Sequence, residues 1–404
     1  MKMRESVIPS IIAGLTTKSD TVAEAMEPDF EDVVFRGSLE EVQDFFYKNG
    51  WTDGLPILPP TKDRVEKMLR FTDRSPDEII GTLPPENRAA TVWNTAVTGV
   101  MAGCRPEYMP VLLAVVEAIA DPEFRLQDAG ATPGWEPLII VNGPIVKALE
   151  FNYGAGAMRG GRQPNSTIGR FLKLYMRNIA GIRIPPGEGD KGSIGANFNV
   201  ALAEDEDSVR KLGWKTLAVD RGYLPDDNIV TVLSVVYASP PIYSGGANAR
   251  DHLDILADVF GQTCSYRTFI GVKNDMYCPL LVLGPSVAAI IAKDRLTKND
   301  IKLFLYEHAM MSAESLEKYA WHGGHTTYSL RTLVENGAIP DEYSRSADPK
   351  RLVRVFVKPE MINIVVAGDP GRNQSRGYVN NHIQGAPVSK KICITARTHE
   401  LGMR

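Results

Sequence analysis

Residues 137–170 carry the densest set of groups in this chain that could hold a charged ligand. Gly154, Gly156, Gly160 and Gly161 are interleaved there with Arg159 and Arg162, and Asn165, Ser166 and Thr167 follow ahead of Arg170. The triplet reads as a helix start. Bare glycine backbone, planar guanidinium forks and the amides of a new helix together suit a carboxylate or a phosphate. The loop has no G-K-[ST] triplet, and Gly154-Ala155-Gly156 lacks the third glycine of a dinucleotide fingerprint. The competing reading is a solvated surface loop. The expectation is that Arg159, Arg162, Asn165, Ser166 and Arg170 contact a small anionic substrate, and no cofactor is specified.

Cys104 is the candidate nucleophile or redox thiol. It stands in Gly103-Cys104-Arg105-Pro106-Glu107, where the proline predicts a first helical turn. A helix N-terminus and Arg105 would both lower the thiol pKa, whereas the plain alternative is a small buried cysteine packing a turn. Cys264, Cys278 and Cys393 lie in or beside apolar stretches and are expected in the core. No C-x-x-C spacing occurs, so neither a disulfide framework nor a structural zinc site is expected, and a reducing cytoplasm is. His322 and His325, in Trp321-His322-Gly323-Gly324-His325, form the one close histidine pair. They could ligate a metal, but the two glycines point to a loop histidine that moves a proton or is simply hydrogen-bonded.

Asp53 in Trp51-Thr52-Asp53-Gly54 suits a side-chain-capped turn, or a catalytic carboxylate. Asp369-Pro370-Gly371-Arg372-Asn373 follows an apolar strand pattern, which makes Arg372 and Asn373 candidate substrate contacts, with His382 a possible neighbour. The acidic run at 204–207 reads as a solvated loop.

The elements that must position these groups follow from punctuation and period. Residues 1–36 read as an arm and 37–86 as a helical, proline-rich segment. Ser38 with Glu41 is a capping box, Gly50 a stop, Thr61 a second helix start, and Ser75-Pro76-Asp77-Glu78 the start of a short helix. Residues 87–227 and 228–404 then read as two related halves. Thr91-Val92 matches Thr231-Val232, Gly143-Pro144 matches Gly284-Pro285, and Leu174-Tyr175 matches Leu305-Tyr306. The predicted fold is α/β, with duplicated strand–helix halves and pseudo-twofold symmetry around mixed or parallel sheets. Ligands in such sheets gather beyond strand C-termini, so the tips after Val141, Leu283 and Val366 are expected to converge.

The 404 residues are 44% hydrophobic and carry a net charge of −4, which argues against a nucleic-acid binder. No apolar run reaches the roughly 18–20 residues of a membrane span. The apolar patch near the start is broken by Pro9 and Ser10, so a leader is not expected. A homo-oligomer is expected on general grounds.

The segments WTDGLPILPPT, AGCRPEYMPVLLAVVEAIADPEF, NSTIGR, LVLGP with FLYEHA, and IVVAGDPG resemble a poorly characterised bacterial family. Its members share W-T-D-G-L-P, P-P-T and A-G-C-R-P-E-Y motifs and are associated with selenoprotein-related domains bearing U-G-S-C or C-G-S-C. The resemblance covers roughly residues 50–391. It implies an enzyme, or an enzyme subunit, linked to thiol or selenol redox work. This chain has no C-G-S-C segment, so such a redox partner would be a separate protein. Family members resemble G-G-P-G-K-H where this chain has Gly368-Asp369-Pro370-Gly371-Arg372-Asn373, so no lysine or histidine role carries over to that tip. Three expectations result. The first is an enzyme on a small anionic metabolite, using Cys104 with His322 or His325. The second is a non-catalytic or half-site subunit of a redox complex. The third is a metal-dependent lyase or hydratase using the histidine pair.

Overall fold

The computed structural model describes residues 32–129, 134–183, 200–272, 277–322, 329–381 and 384–395, with backbone alone at 266–272 and 319–322. The chain divides into two units, Met1–Ser38 and Leu39–Arg404, and the described strands and helices all lie in the second.

Ser75 and Pro76 do not open a helix. They form a turn into a hairpin, β1 (Ile79–Leu83) against β2 (Arg88–Thr91), because Ile79 to Leu83 find a strand partner across the turn. The main sheet is mixed and has eight strands: β3 (Glu136–Asn142), β4 (Leu202–Ala203), β5 (Ile229–Ala238), β6 (Ile242–Tyr243), β7 (Leu280–Leu283), β10 (Asn363–Val366), β11 (Gln374–Asn380) and β12 (Val388–Lys391). A separate pair joins β8 (Met310–Ser312) to β9 (Leu352–Arg354). The order in the main sheet is β10-β7-β11-β5-β3-β4, with β6 extending alongside β11 and β12 alongside β5.

The outer pairs, β10 with β7 and β3 with β4, are parallel, whereas the joins through β11 and β5 are antiparallel. The sheet curls until its outer strands meet. The Asp205 amide, just past β4, donates to the Val366 carbonyl at the end of β10 at 2.8 Å.

Curling gives the strands an inside and an outside, and their continuous apolar runs are what burial on both faces demands. Leu138, Leu202, Leu233, Leu280, Val365 and Tyr378 belong to the inner set. Their sequence neighbours Ile139, Ala203, Val232, Leu281 and Val366 point into the larger outer core, packed beneath helices. Met109–Ala120 covers β5 and β12, and the helix Ala249–Val272 covers β11. That second approach needs Gly377, since a Cβ there would lie 2.3 Å from the Phe260 ring. Among the described residues, no helix is long and apolar enough to cross a membrane.

The order and directions of the six central strands read the same from either end after a half-turn. That does not establish the expected duplication, because the matched segments differ at their starts. Thr91 caps the helix Val92–Ala102, whereas Thr231 lies inside β5. What recurs is the later succession of helix, strand and helix.

Candidate binding cleft

A cleft of about 510 Å³ opens over the inner set at one end of the curled sheet. Leu202, Val282, Tyr378 and Ala367 form its apolar floor, and the 155–159 loop forms one wall, with Ala157 buried in the inner core. The opposite wall is the turn after β10 and the first half of β11, residues 368–376. Of the three expected tips, the one after Val366 lines this cleft, whereas Gly143 and Pro144, after Val141, line a different pocket, and Gly284 and Pro285, after Leu283, are not in the cleft lining.

Three arginines and one aspartate line this cleft: Arg159, Arg372, Arg376 and Asp369. All three arginines are exposed, and among the described residues none of them has an ion-pair partner. Asp369 Oδ1 accepts the Gly371 amide at 2.8 Å, which holds the turn. Arg376 Nε donates to the Ser239 carbonyl at 3.2 Å. Arg376 pairs with Val282 across the ladder, and Tyr378 with Leu280, so both side chains stand on the inner side of β11. Arg376 and Tyr378 were not among the sequence candidates. The alternation Gln374, Arg376, Tyr378 was the signal that could have found them.

The other sequence candidates fall elsewhere. Arg162 is exposed and precedes the helix Gln163–Tyr175, outside the cleft lining. That helix starts before Asn165, with Pro164 in its first turn, so Asn165 is not a cap. Asn165 is fully buried instead. Its Oδ1 accepts the Asn152 amide at 2.8 Å, and its Nδ2 donates to the carbonyls of Asn152 and Ala201 at 2.9 and 2.8 Å. With every polar atom engaged, it ties the loop to the chain before β4 and offers a ligand nothing. Ser166 Oγ accepts the Gly161 amide at 3.4 Å, which ties the end of the loop to the first turn of that helix. The Asn373 carbonyl accepts the Ser244 amide, and Asn373 does not line the cleft.

Arg170 and Asp53, expected in two different roles, are paired with each other. Arg170 Nε and Nη2 grip Asp53 at 2.9 and 2.8 Å, and Nη2 also reaches the Pro56 carbonyl at 2.8 Å. Burial alone would raise the Asp53 pKa, but the hydrogen bond and charge of Arg170 outweigh it and hold the carboxyl below its ordinary value. A carboxylate held this way anchors the proline-rich segment and is a poor proton donor.

Cys104 also departs from expectation. The residue is 6% exposed, and burial pushes its thiol pKa up to about 12, against smaller opposing contributions from Thr167 and Arg170. The residue follows the end of the helix Val92–Ala102, and desolvation overrides any helix-terminus effect. Cys264 is buried as expected, Cys278 is half-buried, and Cys393 is exposed beyond β12. His322 ends the helix Ala313–His322, and His325 and His382 lie outside the described residues. Among the described residues, no group of three His, Cys, Asp or Glu side chains could hold a metal ion.

The acidic run is not a solvated loop. Glu204 is 0% exposed, and Asp205 and Glu206 are also buried. Glu204 Oε1 receives Lys298 Nζ at 3.1 Å and the Val366 amide at 3.4 Å, while Oε2 receives Asn142 Nδ2 and the Leu217 amide, both at 2.7 Å. Glu206 Oε1 accepts the Gly143 amide at 2.7 Å, and Oε2 pairs with Arg210 at 3.0 Å. Gly143 has φ of +99°, and a Cβ there would lie 2.4 Å from the Asp227 carbonyl oxygen, so the turn after β3 requires glycine.

In comparisons with known proteins, no family model, no curated protein and no solved structure matches the chain.

Proposed function

We propose that the protein is an enzyme acting on a small anionic metabolite held in this cleft. What carries the reading is the rim: three guanidiniums with no ion-pair partner among the described residues, set around an apolar floor. Cations that the fold does not neutralise raise the local concentration of anions and can each donate charge-assisted hydrogen bonds. Asp369 is the one carboxylate in the lining, and its Oδ2 has no hydrogen-bond partner among the described residues. In this reading it takes a proton from the bound substrate. Cys104 has no part, because its thiol is protonated at neutral pH and lies in the outer core.

The test is calorimetric titration with a panel of organic acids, phosphate esters and inorganic phosphate. At least one anion is expected to bind, with affinity falling about tenfold in Arg372→Ala and again in Arg159→Ala, at the low end for bonds to charged groups. Binding that survives both substitutions sinks the proposal.

A further inference from the structure

We infer that the cleft takes a small carboxylic acid with an apolar body, its carboxylate gripped end-on by Arg376 and its hydrocarbon laid on the inner face of the sheet. The inference rests on the anion-binding reading above and names its substrate class. Arg376 differs from the other two rim arginines in being pre-set. It rises from β11 directly opposite Val282, on the same face as Tyr378. Its Nε is tied to the Ser239 carbonyl. Ser239 is itself fixed, since its amide donates to the Gly377 carbonyl at 2.8 Å and its hydroxyl accepts the Gly377 amide at 2.9 Å.

A guanidinium anchored through Nε has its plane set and keeps both terminal nitrogens as a parallel fork. That fork matches the two coplanar oxygens of one carboxylate. Fixing it beforehand removes part of the ordering cost of binding.

The floor points to the same class of ligand. Val282, directly across the ladder from Arg376, lines the cleft together with the half-buried Met158 and the exposed Pro241. An inorganic oxyanion would leave that surface wet, whereas a hydrocarbon attached to the carboxylate would cover it. The volume of 510 Å³ falls within the about 300–1,000 Å³ of ordinary small-molecule sites, so there is room for more than the anionic group.

The experiment uses the full chain, titrated with acetate, butanoate, hexanoate and octanoate, and separately with hexyl phosphate and inorganic phosphate. Affinity is expected to tighten about fourfold per added methylene until the floor is covered. Hexanoate is expected to bind better than hexyl phosphate. Arg376→Lys keeps the charge but loses the fork, and is expected to weaken hexanoate about tenfold. The chain-length series needs no variant, so a misfolded Arg376→Lys would not spare the inference. Affinity independent of chain length, or tighter binding of hexyl phosphate, overturns it. If inorganic phosphate binds as well as hexanoate and Arg372→Ala weakens both, the anion reading stands and this inference falls. If no anion binds, both fall.

Discussion

Two charged regions lie side by side where β4 meets β10, and they treat their charges in opposite ways. Around Glu204 every carboxylate oxygen is answered, by a lysine, an asparagine and two backbone amides, at zero exposure. A few residues away, Arg159, Arg372 and Arg376 stand in the cleft lining with no ion-pair partner among the described residues. The Glu204 network closes the sheet. It joins the end of β4 to β10 and to the helix carrying Lys298, which also donates to the Ile364 carbonyl. Arg159 and Arg372 close nothing, and Arg376 ties its Nε to the Ser239 carbonyl while its terminal nitrogens stay open. Charges committed to the fold should therefore show in stability, and charges left open should show in binding.

The sharpest way to break this contrast is Glu204→Ala. It leaves the buried Lys298 ammonium, which is 5% exposed, with the more distant Asp220 carboxylate at 3.6 Å and the Ile364 carbonyl, and it removes the acceptor of two amides and the nearer of the two acceptors of Asn142. Breaking a buried pair from one side costs about 3–5 kcal/mol. Urea unfolding should show a loss of that size, and a loss below about 1 kcal/mol would mean that the network does not hold the sheet closed.

Arg170 and Asp53 form an intermediate case, with side chains 18% and 5% exposed. Arg170→Ala is expected to cost about 2 kcal/mol, under the fully buried range because water still reaches the guanidinium. The pair also predicts a pH dependence. The folded pKa of Asp53 lies below the ordinary value of 3.8, so the unfolded chain binds this proton more readily. The stabilisation is therefore complete above the unfolded value and is lost as pH falls through the lowered folded value. Wild-type stability should fall more steeply on acidification below 3.8 than that of Asp53→Asn. Parallel slopes would mean that the carboxylate is not stabilised by the pair.

Much of this contrast was legible in residue order, and the misses share a cause. The strands expected to end at Val141 and Leu283 are β3 and β7, and their continuous apolar runs are buried on both faces. Arg159 and Arg372 were found from glycine spacing and the rule that strand ends gather ligands, both of which are local signals. Asn165 looked like a helix cap because its decisive partner, the Ala201 carbonyl, comes from distant chain. Glu204 looked solvated because an acidic run usually is, whereas Lys298 reaches it from a helix 94 residues away. Cys104 was read from its helix terminus and arginine, which are sequence neighbours, and the burial that dominates it comes from the assembled core. The segment at 229–238 was matched to a helix-forming stretch, yet it pairs with β3, β11 and β12. Local chemistry proposes groups, and long-range contacts decide which remain available.

The smallest expected effect is the most telling one. Arg372→Ala and Arg159→Ala remove charges that answer no carboxylate, so no buried partner is left stranded. Each should change unfolding free energy by no more than about 0.5 kcal/mol, as surface substitutions away from special features do. Removing like-charged neighbours could even stabilise the empty protein slightly, since the guanidiniums share one cleft. Each of the same substitutions should reduce the thermal stabilisation an anionic ligand confers, by up to about 1.4 kcal/mol for a tenfold loss of affinity, because a ligand stabilises only as far as it binds the folded state. A melting series with and without inorganic phosphate or hexanoate separates the two effects on one sample. A loss above about 1 kcal/mol in Arg372→Ala without ligand would place this arginine with Glu204 and Arg170 among the charges used by the fold. The contrast between the two regions would then rest on Arg159 and Arg376 alone.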